Sequence, residues 1–309
     1  MEINEEEYFR RYKEGETFVY DLTAEGHSKA MVIDSDFKMT SQHELTFLEV
    51  DIERQWWRFR LRELSNKLVK YDDATVAQII EATNEISAIY EELDFWVSDH
   101  GILRKINNRE QVYSKWEKVR EYLTYKYPMS SYEIILAKEK ELDNEPLFMN
   151  NIRYMHFMYA YFLQFGKYMS EERFKHRDID RFGSCIPIEL ACTYKTSKGV
   201  MFDGKTDRHF KGDMIYDGES VSKILKNVDA KGSNMAYQMR ADFHNDGEIL
   251  EEANLSLSET VGKDYSLYTH LHLKLHEDGE RTVSDRSSLS DLFKGCKACT
   301  RECRKPEEY

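Results

Sequence analysis

The chain has 309 residues, of which 41% are hydrophobic and only 14 are glycine and 4 proline, and this composition excludes a disordered or low-complexity protein. Its formal net charge of −13, from 57 acidic and 44 basic residues, argues against general binding to nucleic acid, because a phosphate backbone requires clustered Lys and Arg. The acidic first residues (MEINEEE) lack the pattern of an export signal, and no apolar run reaches the roughly 20 residues that span a bilayer, so we expect a soluble cytoplasmic protein without membrane contact.

The first predicted elements are strands. Alternating apolar and polar residues indicate strands over 17–22 and 29–34, and then a hairpin whose two strands cover 45–52 and 54–63. An apolar stripe at helical spacing follows and predicts a helix from Tyr71 to Leu93.

The second strand of that hairpin contains the densest basic stretch in the first half of the chain. In the predicted register Arg54 and Arg58 lie on the same face as Phe47, Glu49 and Asp51 of the partner strand. Opposite charges across a strand pair stabilise it by roughly 0.2–1 kcal/mol per pair. We therefore interpret these arginines as structural and favour that role over contact with nucleic acid.

The middle of the chain is predicted to be helical. A strand–turn–strand over 95–106, with Gly101 in its turn, precedes a helix that Pro128 ends, and residues 130–174 continue as helices. Seven apolar residues there follow i, i+3, i+4, i+7 spacing, which favours burial in the core over a cofactor site. They are Tyr154, Phe157, Met158, Tyr161, Phe162, Phe165 and Met169.

The second half of the chain changes to a period of two. We predict strands over 185–194 and 209–216 and a three-stranded meander over 235–244, 249–257 and 266–276. The predicted fold class is therefore α+β, with antiparallel β-sheets near both ends of the chain and a helical middle segment.

This pattern divides the chain into four regions. Residues 1–128 form an N-terminal α+β region of strands, an amphipathic helix, a hairpin and a helix, and residues 129–182 form a helical segment. Residues 183–282 are mainly β and end in the meander, and residues 283–309 are a polar tail that contains cysteines. The sequence leaves open whether the two β regions form one domain or two.

Common catalytic motifs are absent from the sequence. It contains no G-x-G-x-x-G, no phosphate-binding loop, no G-x-S-x-G, no H-E-x-x-H and no calcium-binding loop of the EF-hand type. Because many active sites assemble from distant residues, this lowers the expectation of an enzyme without removing it.

The first candidate site is the histidine-rich stretch 269–276 (THLHLKLH). On a strand His270 and His272 share one face, while the leucines between them face the core. One register of the meander aligns Arg240, Glu252 and His272 in a row that suits acid–base catalysis or metal ligation. The same alternation also produces an ordinary solvent-facing strand, and Lys274 favours that reading because an ammonium group repels a metal cation.

The second candidate site is the cysteine cluster of the tail. Cys296, Cys299 and Cys303 would share one face of a helix, and thiolates at this spacing suit zinc. A closed zinc site needs a fourth ligand, which would have to be Cys185, Cys192, a histidine or a thiol of another chain. A reactive tail without metal is the alternative that we favour.

Two functions remain as hypotheses. The one that we favour is a non-catalytic protein-binding adaptor, accessory or immunity-type protein of a bacterial assembly such as a secretion or toxin system. Its protein partner would be basic, because an acidic surface complements a basic one. The alternative is a metal-dependent enzyme or metal-binding protein that uses the C-terminal Cys cluster or the His-rich strand.

Overall fold

The computed structural model describes residues 12–30, 33–71, 84–128, 131–168, 173–177, 187–196, 199–209, 234–246, 249–261 and 265–276. Eleven strands lie within these ranges: β1 (Thr17–Ala30), β2 (Ile33–Asp51), β3 (Trp56–Tyr71), β4 (Glu92–Ser98), β5 (Leu103–Ile106), β6 (Arg173–Arg177), β7 (Pro187–Thr196), β8 (Gly199–His209), β9 (Asn234–Asp246), β10 (Ile249–Val261) and β11 (Tyr265–Leu275). They form one antiparallel sheet in the order β5-β4-β3-β2-β1-β11-β10-β9-β8-β7-β6.

The pairing of β1 with β11 joins the two groups of strands into this sheet. It runs from Tyr20 opposite Leu275 to Ala30 opposite Tyr265. The mixed α+β class predicted from the sequence is therefore present, but the two terminal groups are halves of one sheet instead of separate sheets. The physical reason is that an unpaired strand edge exposes a row of N–H and C=O groups, and pairing β1 with β11 satisfies both edges at once.

The predicted hairpin of β2 and β3 is present, but one of its residues lies on the opposite face of the sheet from the face predicted. A bulge between Phe47 and Glu49 removes Leu48 from the ladder, so that Phe47 lies opposite Phe59 and both are buried. Phe47 is therefore a core residue and was wrongly predicted to share a face with the arginines. The predicted charge pairing does occur, since Arg58 contacts Glu49 at 2.6 Å.

Residues 84–87 are helical and lead into a 3-10 helix (Ala88–Tyr90) directly before β4, and the other described helices lie between β5 and β6. They are α1 (Arg109–Lys126), α2 (Tyr132–Asp143), α3 (Glu145–Arg153) and α4 (His156–Phe162), and a 3-10 helix (Leu163–Tyr168) continues α4. Pro146 lies in the first turn of α3, where its missing N–H leaves no helical bond unmade. No helix in the described ranges is long and apolar enough to cross a membrane.

Helix α4 lies against the apolar face of the sheet, which we call the inner face. Its rings contact inward-facing strand residues, with ring centroids 6.0 Å apart for Phe157 and Tyr20 and 5.6 Å apart for Phe162 and Phe95. The predicted aromatic stripe is thus core. Five of its members are buried, Tyr154 is half-buried, and Met169 lies outside the described residues.

Several predicted boundaries differ from the structure. The single strand predicted over 29–34 is absent, because β1 ends at Ala30 and β2 begins at Ile33, and these two residues pair across a hairpin. Leu93 belongs to β4, opposite Leu61 of β3, and not to a helix, because residues 92–98 alternate in burial and pair along their length. Phe174 lies in strand β6. Strand β8 was not predicted, since its sequence GVMFDGKTDRH has little apolar alternation, and of the strand predicted over 209–216 only His209 lies within the described residues.

Candidate functional site: the polar face of the sheet

The face of the sheet opposite the helices is lined by polar side chains on its five central strands, β2, β1, β11, β10 and β9. Successive residues of a strand point to opposite faces, so a strand that buries every second residue presents the others outward. In β11, Leu271 and Leu273 are fully buried, whereas His270 and His272 point the other way with 28% and 36% of their side chains exposed. The expectation that the leucines face the core is confirmed.

The strand register arranges these outward residues as a grid of four rows across five strands, which we call the polar face. All members are polar except for the ring of Tyr268, which is 46% exposed. From β2 to β9 the rows are Gln42, Asp21, Lys274, Glu252 and His244; Thr40, Thr23, His272, Asn254 and Asp242; Lys38, Glu25, His270, Ser256 and Arg240; and Asp36, His27, Tyr268, Ser258 and Gln238.

Histidines and carboxylates are matched one to one on this face. Five carboxylates lie in the grid, and each has a histidine nitrogen within 4 Å; His276, directly after β11, supplies the fifth. The distances are 2.6 Å for His276 and Asp21, 2.7 Å for His272 and Glu252, 2.9 Å for His27 and Asp36, 3.7 Å for His244 and Asp242, and 3.9 Å for His270 and Glu25.

Of the three residues proposed as a catalytic row, the structure brings two together. His272 Nε2 lies 2.7 Å from Glu252 Oε1, although the two residues occupy neighbouring rows. Arg240 lies in the row of His270 and Ser256, so the predicted register is wrong at this position. In the structure Arg240 lies opposite Ser256, and Glu252 lies opposite His244, four residues further along β9, so the pairing of the whole β9–β10 hairpin differs from the predicted one.

Electrostatics at Glu252 favour the ionised carboxylate. The hydrogen bond with His272 is the main cause and lowers the pKa of Glu252 below its usual value. Partial burial opposes this shift, while the hydrogen bond that Asn254 donates and the charge of His244 add to it. Glu252 is therefore an anion at neutral pH and suits contact with a cationic group.

Metal ligation finds no support in the described part of the chain. There, no group of three His, Cys, Asp or Glu residues is placed to hold a metal ion. The predicted ligands Cys296, Cys299 and Cys303 lie outside the described residues, as does Cys185.

The sequence reasoning missed the contribution of β1 to this face. Asp21, Thr23, Glu25 and His27 alternate with inward-facing residues along that strand, and this period of two was a usable signal. What the sequence did not reveal was that β1 lies beside β11, because the two strands are about 250 residues apart in the chain.

Two polar clusters lie away from the polar face and are structural. Asp94 of β4 accepts hydrogen bonds from Arg58 at 2.8 and 2.7 Å and from Asn107 at 2.8 Å. Burial alone would raise the pKa of Asp94, but these bonds and the nearby arginine charges outweigh it and lower the pKa. The cluster ties the end of β5 to the sheet.

The second cluster is buried among the helices. The Tyr90 hydroxyl donates to Glu141 Oε1, and Lys138 Nζ donates to Glu141 Oε2 at 2.7 Å. Burial, followed by the negative charge of Glu141, raises the pKa of Tyr90 well above its ordinary value. Tyr90 therefore stays protonated and is not a candidate for a general base.

Comparisons with known proteins do not assign a family. No family model matches the chain, and no curated protein matches it. The chain is similar to a solved structure described as lipid–protein interactions in lipovitellin, with a TM-score of 0.44 and 9% sequence identity. The match covers 90% of this chain, which spans only 28% of the lipovitellin chain, and a likeness this weak assigns no function.

Proposed function

We propose that this chain is a non-catalytic protein-binding protein, an adaptor, accessory or immunity-type component of a bacterial assembly, and that a basic protein docks on its polar face. The observation that carries the proposal is the charge of that face. Five carboxylates stand against three Lys or Arg residues, and the acids Asp21, Glu25 and Glu252 have 52%, 44% and 39% of their side chains exposed.

The backbone beneath these carboxylates favours recognition over catalysis. Five paired strands fix the spacing of the side chains, so a partner meets a surface that needs little ordering on binding. The acid–base pair of His272 and Glu252 shares a hydrogen bond on this open face, and Arg240 lies outside that pair.

The area of the polar face sets the expected strength of the interaction. Rows lie about 6.6 Å apart and strands about 4.8 Å apart, so the grid measures roughly 20 by 19 Å, or about 400 Å². A standard stable interface buries about 800 Å² on each partner. We therefore expect a transient contact whose association is accelerated by charge and weakened by salt.

The test uses a fluorescently labelled peptide of alternating Lys and Ser, with binding followed by anisotropy at neutral pH and low salt. The variant Asp242→Asn with Glu252→Gln removes two charges from the polar face. The matched control, Glu117→Gln with Glu121→Gln, removes two exposed carboxylates from α1. Because exposed ion contacts contribute roughly 0.2–1 kcal/mol each, the loss of two should weaken binding by about twofold to thirtyfold, and the control should not weaken it.

Two results would overturn the proposal. Equal loss of affinity in both variants would mean that the peptide senses only net charge. No measurable binding by the unmodified chain would show that the polar face does not dock basic segments.

A further inference from the structure

We propose that the polar face releases its basic partner when its histidines take up protons, so that docking is controlled by pH. This inference rests on the proposed function and adds a regulation to the same surface. It is drawn from the one-to-one matching of histidines and carboxylates, in which each anion that would contact the partner has an imidazole nitrogen between 2.6 and 3.9 Å away.

Protonation reverses the sign of the face. With neutral imidazoles, five carboxylates and three cations leave an excess of two negative charges. With five imidazoliums the same surface has an excess of three positive charges. Histidine is in general the side chain that changes charge between about pH 5 and 8, and the experiment below therefore compares binding across that range.

The charged and titratable groups come from all five strands. They are Asp36 and Lys38 of β2, Asp21, Glu25 and His27 of β1, His270, His272 and Lys274 of β11 with the adjacent His276, Glu252 of β10, and Arg240, Asp242 and His244 of β9. Asp34 adds a further carboxylate at the margin, 3.3 Å from His27. Lys and Arg side chains in general titrate well above this pH range, so the change of sign comes from the histidines.

Competition for the carboxylates is the second part of the mechanism. A partner's ammonium or guanidinium group must bind the same oxygen atoms that an imidazolium of the chain already contacts. The imidazolium is held in place by the sheet and loses little entropy in pairing, whereas the partner must be ordered each time. Protonation therefore adds an internal charge–charge attraction to contacts that the carboxylates already make, and the partner's cation must compete with it.

Glu252 illustrates this competition. Its hydrogen bond with His272 favours the ionised carboxylate and lowers its pKa, so the acid stays charged while the imidazole gains a proton. The result is an internal ion pair on the face, with no change in the fold. A switch of this kind needs only a local change of charge.

The experiment measures binding of the same Lys–Ser peptide at pH 7.5 and at pH 5.5 in constant salt, with the fold checked at both values by circular dichroism. The peptide ammonium groups remain charged at both pH values. Loss of several exposed ion contacts should weaken binding by about tenfold or more at the lower pH.

Two double variants locate the effect. His270→Gln with His272→Gln removes two imidazoles from the polar face, and His100→Gln with His156→Gln removes two elsewhere, from the β4–β5 turn and from α4. For each variant the ratio of its own affinities at pH 7.5 and pH 5.5 is compared with that of the unmodified chain: the first should lose part of this pH dependence, while the second should retain all of it.

The outcomes separate this inference from the function on which it rests. Binding at pH 7.5 that persists unchanged at pH 5.5 overturns the pH control and leaves the docking function standing. An unchanged pH dependence in the His270 and His272 variant also overturns it, because the protons would then act elsewhere. Absence of binding at pH 7.5 overturns the proposed function and this inference together.

Discussion

Replacing Gly101 by alanine tests how the β4–β5 turn is fixed against helix α4. Gly101 has a φ of +72°, a conformation that costs an L-residue roughly 1–2 kcal/mol. A Cβ atom there would lie 2.2 Å from the carbonyl oxygen of Phe162 and 3.1 Å from Cβ of Phe165. Because the nearest atom belongs to the backbone, the turn and the helix end must move apart, which adds about 1–3 kcal/mol.

Gly15 provides a matched control for this substitution. Its φ is +79°, but a Cβ atom at this position would meet nothing within 4 Å. Gly15→Ala should therefore lower the free energy of unfolding by about 1–2 kcal/mol, from backbone strain alone, and Gly101→Ala by about 2–5 kcal/mol. Urea unfolding followed by circular dichroism measures both changes in free energy. An unchanged slope of the unfolding free energy against urea concentration would show that the unfolded state is not altered. Equal effects of the two substitutions would refute the close packing of this turn against α4.

The remaining predictions concern the two structural clusters and the salt dependence of docking. Asp94→Asn should lower the free energy of unfolding by about 1–3 kcal/mol at neutral pH, and the surface control Glu139→Gln by less than about 1 kcal/mol. Because the pKa of Asp94 is lowered in the fold, its contribution is present above its ordinary value of 3.8 and is lost as the pH falls through the lowered value. An acid titration of stability should therefore be flatter for Asp94→Asn below pH 4, and parallel curves would contradict the assignment. Tyr90→Phe removes a donor from buried Glu141 and should destabilise the fold by about 1–3 kcal/mol in thermal melts, whereas Tyr125→Phe at a 65% exposed position should have no effect. Affinity for the Lys–Ser peptide should fall steadily between low and physiological salt, and a salt-independent affinity would exclude an electrostatic interface.

Local patterns in the sequence were sufficient for most of the elements. The period of two in 235–276 predicted the meander, and the leucines of β11 correctly marked its inner face. The spacing of Phe157 and Phe162 likewise predicted a buried helix. These features depend on neighbours within a few residues, which a sequence displays directly.

Features that depend on distant pairings were not predictable in the same way. The bulge at Phe47 changes the register by one residue and moves that side chain to the other face, and the bulge at Leu250 leaves Glu251 without a partner on β9. No residue type marks either bulge. The contact between β1 and β11 likewise has no local signal, and without it the carboxylates of β1 could not be placed beside the histidines of β11.

The most direct test of the central claim is photocrosslinking from the polar face in cells that express the protein. A photoreactive residue at Ser256, near the middle of the grid, should form a crosslink to a basic polypeptide, and one at Glu121 on α1 should not. The yield of this crosslink should fall in the Asp242→Asn, Glu252→Gln background. A crosslink from Glu121 alone, or one from Ser256 whose yield does not fall when both carboxylates are lost, would contradict docking on the polar face.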